Sequence, residues 1–192
     1  MTASALTVGF SSGALSGVLT LQNNGSQLVD LQGDQVRFKD ISVGSAAADT
    51  LDGSGRSTHQ ALIGNAGTDV ITGGSGDDLM IGGIGDDILT GGLGADVFRF
   101  IQSETGQDTV TDFNLIQGDK IDLRGLLNNS GFSLSDLSLF LNLADGVGQK
   151  TLRIDTLGTG NFSVPDLAVV LTNPVGLNDD LATLIDQRVI MV

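Results

Sequence analysis

The sequence predicts an all-β fold: a parallel β-roll (a β-solenoid) of nine-residue repeats, flanked by strand-rich caps and a short C-terminal helix. Three observations carry this. A nine-residue pattern of glycine and aspartate recurs without a gap through residues 64–99. The eighth position of every row is large and apolar. The apolar content is 40%, yet the chain has no Trp, Tyr or Cys and eight Phe, so its core consists of thin aliphatic layers.

Residues 1–43 come first. "ALTVGF", "GVLTLQ" and "QVRFKDISV" alternate apolar and polar residues as strands do. "LQNNGSQLV" reads as a hairpin turning at Asn24-Gly25. This region is either an N-terminal cap or an extension of the roll.

Residues 44–100 hold the repeat. Four rows begin at Gly64, Gly73, Gly82 and Gly91: "GNAGTDVIT", "GGSGDDLMI", "GGIGDDILT" and "GGLGADVFR". Position 4 is Gly67, Gly76, Gly85 and Gly94; position 6 is Asp69, Asp78, Asp87 and Asp96; position 8 is Ile71, Met80, Leu89 and Phe98. A looser row from Gly44 keeps Asp49 and Leu51 but lacks glycine at positions 2 and 4. Between it and Gly64 the phase slips by two residues, and Gln60 stands where an acid is due.

Glycines at fixed positions allow positive φ and close backbone approach, so the first six residues of a row can turn sharply. The last three form a short strand whose middle side chain faces inward. Two rows make one coil. Stacking coils sets Ile71 and Leu89 in one file and Met80 and Phe98 in the other. One row cannot bury its face alone, so the fold needs at least about three.

Stacking also lays Asp69 over Asp87 and Asp78 over Asp96. Residues 41–98 contain eight Asp and one cation, Arg56. Such a stack repels itself. A divalent hard cation resolves the conflict, because Ca²⁺ accepts six to eight oxygens and mixes carbonyls with carboxylates. Of 23 acidic residues, only Glu104 is a glutamate, and aspartate is the residue of turns and metal loops.

These rows resemble G-G-x-G-x-D-x-U-x, the calcium-binding nonapeptide of RTX (repeats-in-toxin) proteins. The resemblance implies a parallel β-roll holding several Ca²⁺ ions. It implies ligands at the position-6 carboxylates and at the carbonyls of positions 1, 2 and 4. Those are Gly64, Asn65, Gly67 and Asp69; Gly73, Gly74, Gly76 and Asp78; Gly82, Gly83, Gly85 and Asp87; and Gly91, Gly92, Gly94 and Asp96.

Residues 101–192 are expected to cap the roll and carry an export address. "FRFIQSETGQDTVTDFNLIQGDKIDL" resembles the segment that follows the roll in type I secreted proteins, including serralysin-type proteases. Asp108, Asp112 and Asp119 are candidates for one more ion there. "SLFLNL", "KTLRIDTL" and "DLAVVLTN" read as strands. "LNDDLATLIDQ" reads as a short helix capped by Asn178 or Asp179, with Leu181, Leu184 and Ile185 on one face. The whole segment resembles the C-terminal target region of large RTX adhesins, which the type I secretion machinery reads.

Composition narrows the partners. A formal net charge of −14 disfavours nucleic acid and anionic membranes. No apolar run is long enough to span a bilayer, and "MTASALTVGF" lacks the features of a cleaved signal peptide. His59 is the one histidine, so no zinc-protease motif exists; it is expected in a surface loop. Nothing assembles a catalytic set. The resemblance implies a secreted or cell-surface module that folds in extracellular calcium, downstream of passenger domains on a longer chain, with an adhesin as the expected host. The alternatives are a calcium-dependent sugar- or ligand-binding adhesive domain and the non-catalytic tail of a secreted protease or lipase.

Overall fold

The structure is a computed structural model that describes residues 6–12, 15–21, 27–31, 34–38, 40–101, 104–127, 137–163, 166–177 and 180–192. Two antiparallel hairpins open the chain: β1 (Leu6–Ser12) with β2 (Leu15–Leu21), and β3 (Gln27–Leu31) with β4 (Asp34–Phe38). The expected turn at Asn24-Gly25 lies outside the described residues.

The roll follows. Its strands alternate between two sheets: β5 (Asp40–Val43), β6 (Thr50–Asp52), β7 (Gln60–Ala66), β8 (Val70–Thr72), β9 (Leu79–Ile84), β10 (Ile88–Thr90) and β11 (Val97–Arg99). Next come β12 (Gly106–Val110), β13 (Lys120–Asp122), α1 (Arg124–Leu127), α2 (Leu137–Phe140), β14 (Leu141–Gly146) and β15 (Gln149–Ile154). The chain ends with β16 (Leu167–Thr172), α3 (Leu181–Asp186) and β17 (Ile190–Met191). One sheet runs β14-β15-β16-β12-β10-β8-β6 and the other β17-β13-β11-β9-β7-β5. From β5 to β13 every neighbouring pair within a sheet is parallel, which makes the fold an all-β parallel solenoid of about four turns.

The register places position 8 over position 8. Leu51 pairs with Ile71 and Ile71 with Leu89; Leu62 pairs with Met80 and Met80 with Phe98. Ile71, Met80, Leu89 and Phe98 are fully buried between the sheets, in the two files the nonapeptide predicts. Met80 is a core residue.

Both sheets run on past residue 100. Val110 continues the file of Leu89, and Ile121 that of Phe98. Phe113 closes over Phe98, with ring centroids 6.1 Å apart. Beyond that, β16 adds in parallel to β12 and brings the antiparallel β15 and β14 with it. The apolar chain end is the last strand of the other sheet, where Ile190 pairs with Ile121.

"KTLRIDTL" and "DLAVVLTN" supply β15 and β16 as expected, but "SLFLNL" divides. Its first half is the helical turn α2, because consecutive Phe140 and Leu141 are both buried and a strand would point them to opposite faces. The short terminal helix forms as α3. Its N-cap is Asp180, whose carboxylate accepts the Thr183 N–H at 2.9 Å; Asn178 and Asp179 lie outside the described residues. Leu184 is buried, and Leu181 and Ile185 pack beside it. No helix among the described residues is long and apolar enough to cross a membrane.

Candidate metal centre

The turns of the roll form two edges. Turns 44–49, 64–69 and 82–87 lead from the sheet of β5 to the sheet of β6, and the chain from β11 to β12 makes the fourth on that edge. Turns 53–59, 73–78 and 91–96 lead back, with the chain from β12 to β13 as the fourth.

Each position-6 aspartate bonds the turn before it. The Oδ1 atoms of Asp69, Asp78, Asp87 and Asp96 accept the backbone N–H of Asp49, Gln60, Asp69 and Asp78 at 2.7–2.8 Å. The ladder persists where the nine-residue period fails. Asp108 Oδ1 takes the Asp87 N–H at 2.9 Å, and Asp119 Oδ1 takes the Asp96 N–H at 3.0 Å. These two residues therefore stand at position 6 of the next coil, 21 and 23 residues on rather than 18.

The second oxygen differs. Oδ2 of Asp69, Asp87, Asp96 and Asp108 is buried without a hydrogen-bond partner. Asp78 Oδ2 accepts the Gly74 N–H at 2.7 Å, and Asp119 Oδ2 the Asn114 N–H at 2.8 Å. A buried carboxylate oxygen with nothing to accept from is costly. In each regular turn the position-6 carboxylate lies against the position-1 glycine, where a Cβ would overlap it: Gly64 over Asp69, Gly82 over Asp87 and Gly91 over Asp96. The carbonyls crowd the same place. A Cβ on Gly83 would overlap the Asn65 oxygen, one on Gly85 the Gly67 oxygen, one on Gly92 the Gly74 oxygen and one on Gly94 the Gly76 oxygen. Gly83, Gly85, Gly92 and Gly94 all have positive φ, and Asn65 adopts φ 84° as the non-glycine at position 2.

Burial pushes these acids up. Asp78 and Asp87 are raised, and Asp96 reaches about 8, Asp108 about 7 and Asp119 about 6; loss of solvation is the largest cause in each, opposed by the N–H each accepts. Asp122 is the contrast. Burial raises it too, but the Arg124 hydrogen bond and the charges of Arg99 and Arg124 outweigh that and hold it low. Among the described residues, no arginine pairs with the ladder acids in this way.

The donor set fits a hard divalent cation. It is all oxygen, part carbonyl and part carboxylate, with one carboxylate oxygen left bare at Asp69, Asp87, Asp96 and Asp108. Among the described residues no three His, Cys, Asp or Glu side chains gather closely enough to hold an ion by themselves, so carbonyls are needed to complete any site.

Several placements differ from the pattern. Asp108 lies on one edge, over Asp87, whereas Asp119 and Asp112 lie on the other, so these three do not meet at one point. Asp112 accepts the N–H groups of Gly91 and Gly92 at 2.9 and 2.8 Å. Gln60 fills the position-6 place of its turn, buried, with Nε2 donating to the Gly53 carbonyl at 3.3 Å. Asp49 is partly exposed, and its Oδ2 is held by the Ser45 N–H and hydroxyl, which keeps its pKa low. His59 is exposed and takes the Asp77 N–H on Nδ1.

The nine-residue pattern does not mark the position-5 residues, yet Asp77 and Asp86 tie coils together through the N–H groups of Ala95 and Gln107. Nor did it single out Glu104 as buried. The available signal was composition alone: one glutamate among 22 aspartates.

Comparison with known proteins agrees with this geometry. Residues 63–98 match the family model described as the RTX calcium-binding nonapeptide repeat, in four copies. Among solved structures the chain is similar to the AlgE6R2 subunit of the Azotobacter vinelandii mannuronan C5-epimerase. That likeness has 27% identity and a TM-score of 0.51, covering 78% of this chain and 90% of that one. The AlgE6R3 subunit of the same epimerase gives 29% identity and a TM-score of 0.46, covering 72% and 83%. A search of curated proteins finds no match. Residues 63–98, which supply turns to both edges, are RTX calcium-binding nonapeptide repeats.

Proposed function

We propose that this chain is a calcium-folded export module, the C-terminal region of a protein secreted by a type I system, with an adhesin as host. The bare, buried Oδ2 atoms of Asp69, Asp87, Asp96 and Asp108 are the observation that carries it. The ligands would be the position-6 carboxylates of the four rows, joined by the carbonyls of Gly64, Asn65 and Gly67, of Gly73, Gly74 and Gly76, of Gly82, Gly83 and Gly85, and of Gly91, Gly92 and Gly94. Asp108 would extend the set on one edge. Asp112 would serve on the other, beside Asp96 and Asp119. Bound Ca²⁺ would supply positive charge to oxygens that otherwise repel one another. Without it the chain cannot pay for stacking its acids, so low cytosolic calcium keeps the roll open for passage through an exporter. Folding outside then opposes return.

Far-UV circular dichroism in chelator and in millimolar calcium tests the folding half. Extracellular-type sites have Kd of about 10⁻⁴–10⁻³ M, so strands should appear over that range, and Mg²⁺ should substitute poorly. Identical spectra in both conditions would refute it. A secretion assay of the chain with a type I exporter tests the export half.

A second reading, a calcium-folded module carried on a larger secreted enzyme, draws on the likeness to a subunit of a mannuronan epimerase. A glycan array probed with and without calcium separates it from pure export. Calcium-dependent retention of a polysaccharide would favour the second reading.

A further inference from the structure

Glu104 is the only glutamate of the chain, and no position of the nonapeptide calls for it. It lies in the last turn of one edge. That turn sits on turn 82–87 much as turn 82–87 sits on turn 64–69. The Gly85 N–H bonds the Thr105 carbonyl at 3.2 Å, as the Gly67 N–H bonds that of Ile84 at 2.9 Å. The Asp87 N–H bonds Asp108 as the Asp69 N–H bonds Asp87. Gly106, with φ 117°, takes the place of Gly85, and a Cβ there would press on the Gly85 carbonyl oxygen at 2.6 Å. Counting back, Glu104 holds the place of Gly83. Where turn 82–87 has no side chain and turn 64–69 has the neutral amide of Asn65, this one has a carboxylate.

That carboxylate is buried at 3% exposure, and neither of its oxygens has a hydrogen-bond partner. Asp108, at 0%, leaves Oδ2 bare in the same turn, and Asp87 leaves Oδ2 bare in the turn below. No lysine or arginine among the described residues pairs with any of the three; the ion pairs go to Asp40, Asp77, Asp122 and Asp145. Both oxygens of Glu104 and one each of Asp108 and Asp87 are thus buried with nothing to accept from. Burial raises Glu104 most, and the charges of Asp108 and Asp87 raise it further.

We propose that Glu104 and Asp108, facing Asp87 and completed by backbone carbonyls, form a further Ca²⁺ site that binds more tightly than the regular nonapeptide sites. The proposal rests on the calcium reading of the roll. A regular turn buries one side-chain carboxylate, whereas here two are buried, one of them long enough to bind through both oxygens. Calcium affinity in oxygen sites rises with the number of charged ligands. The site belongs to the last turn on its edge, beside the capping strands, so it fills first as calcium rises.

The rival occupant is a proton, and Glu104→Gln separates the two because it has the shape of the protonated acid. Calcium titration by calorimetry on the full chain should show one tight ion above a weaker class. In E104Q that tight ion should weaken by at least about ten-fold, with the weaker class unchanged. The metal-free melting temperature should move the other way and rise, because an amide is buried without the proton uptake that burying the acid requires. Glu104→Asp keeps the charge and should retain the ion with intermediate affinity. Unchanged titration of E104Q would make Glu104 a buried neutral acid and overturn the site. So would equal losses in E104Q and E104D, or a metal-free melting temperature that falls in E104Q. A wild-type chain that binds no calcium would overturn the calcium reading itself, whereas a wild type that binds only one weak class would overturn this site alone.

Discussion

The two carboxylate oxygens of Asp87 have different partners, and that difference can be measured. Oδ1 accepts a backbone N–H at 2.8 Å, while Oδ2 is buried and bare. Asp87→Asn keeps an acceptor for the N–H but loses the charge. It should weaken calcium-driven folding while sparing the metal-free state. Asp87→Ala also orphans the Asp69 N–H and should cost a further ~1–3 kcal/mol, read from denaturant melts in saturating calcium. Asp49→Ala should do much less, because Asp49 is partly exposed and Ser45 already holds its Oδ2; an Asp49 effect as large as that of Asp87 would mean the ion file starts a row earlier. The glycines give a sharper contrast. Gly83→Ala puts a Cβ into the Asn65 carbonyl at φ 114° and should prevent the two coils from closing, whereas Gly55→Ala meets nothing within 4 Å and should be silent in the same melt.

At the scale of elements, the C-terminal segment is part of the roll's own sheets. β17 pairs with β13, and Ile190 and Leu184 are buried in the cluster that holds Phe98 and Leu89. Deleting residues 179–192 should therefore lower the melting temperature in calcium as well as abolish export. Calcium binding by turns 64–96 should survive with modestly lower affinity, since those donors are local. Titration of the purified truncation beside a secretion assay checks both, and normal export would place the address elsewhere. The rows of nine were readable because period, glycine and aspartate agree: the files of Ile71 with Leu89 and Met80 with Phe98 follow from counting alone. The next coil was not readable as a coil. Insertions before Asp108 and Asp119 break the count, and only the N–H each one accepts shows that it continues the ladder. Gln60 was placed by counting back, but not its amide bond to Gly53. The cap at Asp180 is not legible in the sequence, because three acid or amide residues precede α3 and only the fold shows which one faces the Thr183 N–H. Glu104 had no pattern at all, since its meaning comes from the turn beneath it.

At the scale of the molecule, acidity and calcium act in opposite senses. The net charge is −14, and the raised acids prefer the neutral form when buried. In the metal-free fold Asp96, Asp108 and Asp119 titrate near 8, 7 and 6, against an ordinary 3.8. Their contribution is present below about pH 4, where both states are protonated, and is lost as pH rises through those folded values. Thermal melts in chelator should thus give a more stable roll at pH 5 than at pH 8. The calcium-induced rise in melting temperature should be larger at pH 8, because each ion displaces protons at pH 5. Equal calcium gains at both pH values would mean that these acids do not face the ions. One further consequence follows from the alternation of strands between the sheets. Each row crosses from one sheet to the other, and the two terminators are not interchangeable: β16 with its hairpin closes the sheet of β10, and β17 closes the sheet of β11. Inserting or deleting a single row would send every later strand to the wrong sheet and deliver each terminator to the other's edge. Two rows, the 18-residue step of the aspartate ladder, would leave both in place. The roll obeys a parity rule: related chains can differ in length by whole coils, while an odd row has nowhere to end.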